Sequence, residues 1–150
     1  MESIIFVGLP ASGKSSFYKE RYFNTHVRIS RDLLRTRHRE DRLLNLCLET
    51  DQRFVIDNTN TTIAERARLI DVVKMARRPY AIYGYYFESR VADCLQRNAE
   101  RSQDTQVPEV AIRSKATELQ KPALSEGFSQ LFYVRLTAAG FVVAEWNDEV

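Results

Sequence analysis

The sequence predicts an α/β fold: a parallel sheet with helices on both faces and a helical lid. Two observations predict it. Apolar runs of strand length at 4–7, 27–30, 54–57, 80–87 and 131–136 alternate with helix-length stretches near 14–21, 31–35, 41–50, 63–76, 89–101 and 108–119. Such alternation favours a parallel sheet covered by its own crossover helices. A glycine-bearing octet, Gly8-Leu9-Pro10-Ala11-Ser12-Gly13-Lys14-Ser15, lies where the first run hands over to the first helix. No stretch approaches the roughly 18 apolar residues that span a bilayer, so no membrane partner is expected.

Taken in order, the first run, 4–7, is a continuous apolar strand that feeds the octet. The octet fits G-x-x-x-x-G-K-[ST] at every fixed position. Gly8 and Gly13 let the backbone wrap closely round a phosphate chain, so that N–H groups and a helix N-terminus point at the anion. Lys14 supplies a mobile positive charge to the outer phosphates, and the Ser15 hydroxyl suits Mg²⁺. Gly8, Ala11, Ser12, Gly13, Lys14, Ser15 and Ser16 are therefore the expected nucleotide-binding residues, with ATP or another nucleoside triphosphate as the ligand. The fold class narrows to that of P-loop NTPases and kinases.

In open α/β sheets the ligand lies beyond the carboxyl ends of the strands, so the residues leaving each strand are the ones to examine. The run 27–30 leads into Arg31-Asp32. An acid there suits a general base that takes the proton of an attacking hydroxyl; it equally suits the N-terminal dipole of the following helix. Arg35, three residues on, is expected to share a helical face with Asp32 and to bind an acceptor phosphate. The run 54–57 ends in Asp57-Asn58-Thr59-Asn60. A carboxylate at this strand end is placed to hold Mg²⁺ with Ser15, or else caps the turn. Along 63–76 the residues Ile63, Ala67, Ile70, Val73 and Ala76 recur at helical spacing and predict one buried face. Tyr83, Tyr85, Tyr86 and Phe87 make an aromatic strand that suits sheet-core packing more than base stacking. Arg97 and Arg101 are i, i+4 neighbours just before a polar, aperiodic loop at 102–108. They suit either the helix dipole or a lid, at about 97–115, that closes on the donor phosphates. The final stretch, 141–146, has the character of one more edge strand, with its pairing left open.

Composition adds bounds. The 150 residues, 44% hydrophobic and 28% charged, predict a single domain over 1–150 with no repeat or linker. Net charge is only +2, although the run 31–39 is densely basic. Cys47 and Cys94 lie in helical sequence without metal-ligand spacing, and no basic patch precedes the first apolar run. Both suit a reducing, cytoplasmic protein without a signal peptide. His26 and His38 are far apart and predict no zinc or iron site.

Taken together, these pieces resemble the kinase domain of the 5′-polynucleotide kinases, the family of the phage enzyme and the animal kinase–phosphatases. The matching residues are the octet, Ser30-Arg31-Asp32 with Arg35, Ile56-Asp57-Asn58-Thr59-Asn60, Arg97-Asn98-Ala99-Glu100-Arg101, Val107-Pro108 and Pro122-Ala123-Leu124-Ser125-Glu126-Gly127-Phe128. The resemblance implies transfer of the ATP γ-phosphoryl group to the 5′-hydroxyl end of a DNA or RNA strand. It implies catalytic roles for Asp32 as base, with Lys14 and Arg101, and acceptor binding by Arg35 and Asp32. Donor phosphates would be held by Lys14, Arg97 and Arg101, and Mg²⁺ by Ser15 and Asp57. No DxDxT-type phosphatase motif or second catalytic domain is found, so the expected reaction is phosphorylation alone. Protein partners are left open.

Overall fold

The computed structural model describes residues 1–148. Its elements run β1 (Glu2–Val7), α1 (Lys14–Arg21), β2 (Val27–Ile29), α2 (Arg31–Leu34), α3 (Arg37–Glu49), β3 (Phe54–Ile56), α4 (Ile63–Lys74), β4 (Ala81–Phe87), α5 (Val91–Glu100), α6 (Glu109–Glu118), β5 (Gln130–Thr137) and β6 (Gly140–Glu145), with a 3₁₀ turn at Leu124–Glu126. The strands form one sheet in the order β2-β3-β1-β4-β5-β6. The first five are parallel and β6 pairs antiparallel with β5, Phe132 opposite Glu145 and Thr137 opposite Gly140. The C-terminal stretch is thus an edge strand, as its pattern suggests, and its partner is β5.

The strand order dictates which helix covers which face. The β1–β2 connection moves one way across the sheet, and the later connections move the other way. Right-handed crossovers then put α1 on one face and the later helices on the other. The side-chain alternation follows suit. Ile4, Phe6, Val55 and Phe87 pack against Phe17 and Tyr18 of α1. Ile5, Val7, Phe54 and Ile56 pack against Leu44, Cys47 and Leu48 of α3 and against Leu69, Ile70 and Val73 of α4. Helices do cover both faces, but among the described residues α1 is the single helix on its side. Its face is completed by aromatic rings from the strands: Phe6 meets Phe87 edge-on at 4.9 Å, Phe17 meets Phe141 at 5.2 Å, and Tyr85 stacks on Phe132 at 4.9 Å. The aromatic strand β4 is core, as its composition predicts.

A third cluster joins Leu9 and Ala11 of the octet to Cys94 of α5 and Ile112 of α6. These two helices therefore dock directly on the phosphate-binding loop. Both cysteines are buried and unbridged, and burial pushes the Cys47 thiol up to about 11. Among the described residues, no helix is long and apolar enough to cross a membrane.

Some expectations shift. Helix α3 starts at Arg37, four residues before the first residue of the expected stretch at 41–50, because the Thr36 hydroxyl accepts the Arg39 N–H at 3.2 Å and caps it there. The buried face of α4 consists of Arg66, Leu69, Ile70 and Val73, while Ile63 is 45% exposed. The apolar periodicity could not show that an arginine is the first residue of that face.

Candidate functional site

Adjacent strands β1 and β3 send their connections in opposite directions, which opens a crevice at their carboxyl ends. The octet follows β1 and Asp57 follows β3, so both open into that crevice. Each glycine of the octet has a steric reason. A Cβ on Gly8 would stand 2.8 Å from the Ser12 Oγ and 3.0 Å from the Phe87 Cβ. Gly13 takes φ +102° with the Phe141 ring against it, and a Cβ there would lie 3.0 Å from the ring. The Gly8 N–H donates to the Thr59 carbonyl at 3.0 Å, and Asn60 Nδ2 donates to the Phe6 carbonyl at 2.8 Å. The two strand-end turns are thereby fixed to each other.

Lys14 is the first residue of α1 and is only 8% exposed. Its ammonium donates to the carbonyls of Gly8 at 3.0 Å and Leu9 at 2.7 Å. Burial pulls its pKa down from 10.5 to about 8, with the Arg101 charge adding to the effect and Asp57 and Asp32 opposing it. A triphosphate favours the charged ammonium, so its binding raises this pKa again. With its pKa near 8, the ammonium of the free protein loses its proton progressively between about pH 7 and 9, so triphosphate binding in that range should take one up. Calorimetry of ATP binding in buffers of different ionisation heat should show uptake near zero at pH 7, rising toward one proton at pH 9. Lys14→Arg should abolish the uptake, because a guanidinium stays protonated. Binding heats independent of buffer at pH 9 would disprove the assignment.

Ser15 Oγ donates to Asp57 Oδ2 at 3.1 Å, which brings together the two residues expected at the metal. No local motif points to a third participant. Arg28 Nε donates to the same Asp57 oxygen at 2.8 Å, and its Nη2 donates to Ser15 Oγ at 3.1 Å. Strand alternation puts Arg28 on the α1 face, beside Tyr18, with its guanidinium carbon 5.9 Å from that ring's centroid. A positive group thus sits against the oxygens of Ser15 and Asp57. One carboxylate and one hydroxyl are hard oxygen donors of the kind Mg²⁺ takes alongside substrate phosphates, so the pair fits the ion.

A cavity of ≈ 470 Å³ runs from this point past α2, α4 and α6. Its wall includes Lys14, Ser15, Asp57, Asp32 and Arg101, so five residues expected at the site do share one space. Ala11 also lines it, Gly8, Ser12 and Gly13 shape the loop behind it, and Ser16 is exposed off the wall. Arg37, Arg68 and Lys115 were not expected; with Arg31 they add positive charge to the rim, where, among the described residues, Arg31, Arg68 and Lys115 are ion-paired and Arg37 is not.

Two placements differ from expectation. Helix α2 stops at Leu34, and Arg35 takes φ +75°, outside helical space. Arg35 therefore does not continue the face of Asp32, and the wall carries Arg37 in its stead. Helix α5 stops at Glu100, so Arg97 and Arg101 do not project together. Arg101 lines the cavity, whereas Arg97 Nη1 donates to the Ala11 carbonyl at 2.9 Å and braces the loop from outside. The Pro122–Phe128 segment forms no part of the wall. Glu126 instead receives two hydrogen bonds from the fully buried Arg66, at 2.7 and 3.1 Å. Arg66 also donates to the carbonyls of Asn60 and Thr61 at 2.9 and 3.1 Å. The segment thus supports the strand-end turn from behind.

Comparison with known proteins agrees with this geometry. The family model described as AAA domain matches residues 37–122. The bifunctional polynucleotide phosphatase/kinase of Schizosaccharomyces pombe is 28% identical over 150 aligned residues, covering 97% of this chain and 36% of the relative. The chain thus spans little more than a third of that relative's length. A chain of the Pnkp1/Rnl/Hen1 RNA repair complex is 27% identical with a TM-score of 0.60, covering 79% of this chain and 44% of that one. Kti12 of Chaetomium thermophilum, solved with ADP-AlF3, superposes with a TM-score of 0.65 at 18% identity over 91% of this chain and 92% of its own. A gluconokinase of Sinorhizobium meliloti does so with a TM-score of 0.61 at 16% identity, over 89% and 82%. These last two show the shared fold alone. With more than half of its length matched, the protein belongs to the AAA domain family and has the fold of P-loop kinases.

Proposed function

We propose that the protein transfers the γ-phosphoryl group of ATP to the 5′-hydroxyl end of a DNA or RNA strand. The observation that carries this reading is the single exposed carboxylate of Asp32, set in the same basic cavity as Lys14 and Ser15. Asp32 takes the proton of the incoming hydroxyl, whose oxygen forms a bond to the γ-phosphorus. The bond from that phosphorus to the β–γ bridging oxygen breaks, and ADP leaves with the electron pair. Lys14 and Arg101 stabilise the charge on the moving group, with residues 97–115 acting as its lid. Arg97 acts by bracing the loop through Ala11. Ser15 and Asp57 hold Mg²⁺, which when bound neutralises phosphate charge.

The acceptor side accounts for the rest of the rim. A strand brings its own phosphates, and Arg37 has no ion-pair partner among the described residues, so its guanidinium is free to take one. A small polyol would have no use for that charge. The similarity to the polynucleotide phosphatase/kinase and to the RNA repair complex supports the same substrate class.

The test is a panel: labelled ATP and Mg²⁺ with 5′-hydroxyl DNA and RNA strands, free nucleosides, 3′-phosphorylated nucleosides and sugars. Strands and 3′-phosphorylated nucleosides should accept label, and free nucleosides poorly. Label confined to free nucleosides or sugars would replace this reading with that of a small-molecule kinase.

A further inference from the structure

Glu40 lies on the apolar stripe of α3, followed at helical spacing by Leu44, Cys47 and Leu48, and is 1% exposed. A buried carboxylate needs partners, and Glu40 finds three on three different elements. Arg31, the first residue of α2, donates from Nε at 3.0 Å and Nη2 at 3.4 Å. Asn58, in the turn after β3, donates from Nδ2 at 3.2 Å. Arg68 of α4 donates from Nη2 at 3.5 Å.

Two of these partners also fix the start of α2. Asn58 Oδ1 accepts the Arg31 backbone N–H at 2.8 Å, and the Arg31 side chain is itself held by Glu40. The residue at the cap position contributes nothing: Ser30 makes no side-chain cap, and its buried hydroxyl has no partner among the described residues. Helix α2 is four residues long with none of them buried. One turn of that kind has no stability of its own, since nucleation fixes several residues for a single hydrogen bond. Its placement is therefore imposed from outside: Leu34 packs against the core and its carbonyl accepts from Arg39 at the far end, while the start, where Asp32 lies, is held through Asn58 and Arg31, which both converge on Glu40. Asp32 is the second residue of this turn.

We propose that Glu40 is a positioning residue for phosphoryl transfer: it locks the α2 turn so that Asp32 stands at the cavity wall facing the phosphate loop. The inference rests on the reading of Asp32 as the base. A displacement of about 1 Å in such a group costs on the order of 10²-fold in rate, so a carboxylate that never touches substrate has a large influence through its neighbour.

The variants are Glu40→Gln, which keeps size and one acceptor oxygen, and Asn58→Ala, which removes two hydrogen bonds and no charge. Each is made in the wild-type and Asp32→Asn backgrounds. Two quantities are measured: amide hydrogen exchange over residues 30–36, and single-turnover phosphorylation of a 5′-hydroxyl oligonucleotide with ATP and Mg²⁺. In the wild-type background, exchange over 30–36 should rise. The transfer rate should fall by roughly 10–100-fold, with KM for ATP unchanged. In the Asp32→Asn background neither variant should lower the rate further. Unchanged exchange overturns the inference, and so does the same fold-loss in both backgrounds, which would mean Glu40 acts elsewhere. If Glu40→Gln fails to fold, Asn58→Ala carries the same expectations. A wild-type rate for Asp32→Asn alone overturns the base reading, whereas a slow Asp32→Asn with unaltered exchange in Glu40→Gln overturns only the positioning role.

Discussion

Replacing Asp32 with asparagine is expected to slow phosphoryl transfer by roughly 10²–10⁴-fold, the usual contribution of a well-placed general base. Asparagine keeps the shape of the side chain and loses the proton acceptor. Asp32 is exposed on a short turn, so the substitution removes no core contact and the fold should melt as before. ATP affinity should change little, because the loop, Lys14 and the Ser15–Asp57 pair are untouched. A kcat loss with KM for ATP held constant is the pattern of an interaction made only in the transition state. Single-turnover transfer combined with direct ATP-binding measurements checks both halves. Rapid transfer by Asp32→Asn would remove this residue from the chemistry.

The second large effect falls on stability. Arg66→Met should destabilise the protein by about 3–5 kcal/mol, because one member of a buried ion pair is removed and the other left behind. The guanidinium is fully buried and uses three nitrogens on four acceptors: both Glu126 oxygens and the carbonyls of Asn60 and Thr61. Methionine fills much of the space but satisfies none of those acceptors. For a chain of this size the loss corresponds to a fall in Tm on the order of 10 °C, readable by circular dichroism. The double variant Arg66→Met with Glu126→Leu should recover part of it, since a matched apolar pair leaves no buried charge. A Tm within about 2 °C of wild type for the single variant would show that the pair carries little of the stability.

The sheet was legible because its signal is local and repeated. The five parallel strands read as apolar runs, and the octet marks the first crossover. The donor half of the site was legible for the same reason: Gly8 to Ser15 are contiguous. What escaped are the relations between distant residues. Arg28 reads as a polar position in a strand, and only the fold brings it to Asp57 and Ser15, 29 positions away in the first case and 13 in the second. Glu40 carried a detectable sign, an acid on the apolar stripe of α3, but its partners on α2, α4 and the turn after β3 are set by topology. Arg35 misled because a non-glycine residue at φ +75° is uncommon, so the helix was extended through it. The Pro122–Phe128 segment is the reverse case. It is distinctive in sequence, and its place proves to be behind the site, through Glu126 and Arg66.

The aromatic face around α1 divides the labour of the two half-sites. Phe6, Phe17, Phe87 and Phe141 meet edge-on around the helix whose first turn presents Lys14 and Ser15. The conformational entropy of the phosphate cradle is therefore surrendered when the chain folds, not when nucleotide arrives. The proposed acceptor wall is the opposite, with Asp32 and Arg37 exposed to solvent. Each such side chain still gives up about 0.5–1.5 kcal/mol when immobilised on a ligand. On the proposed reading, the phosphate loop is set before nucleotide binds. The Glu40-held turn fixes only the backbone of the acceptor wall, and discrimination between acceptors lies in how well each one orders its exposed side chains.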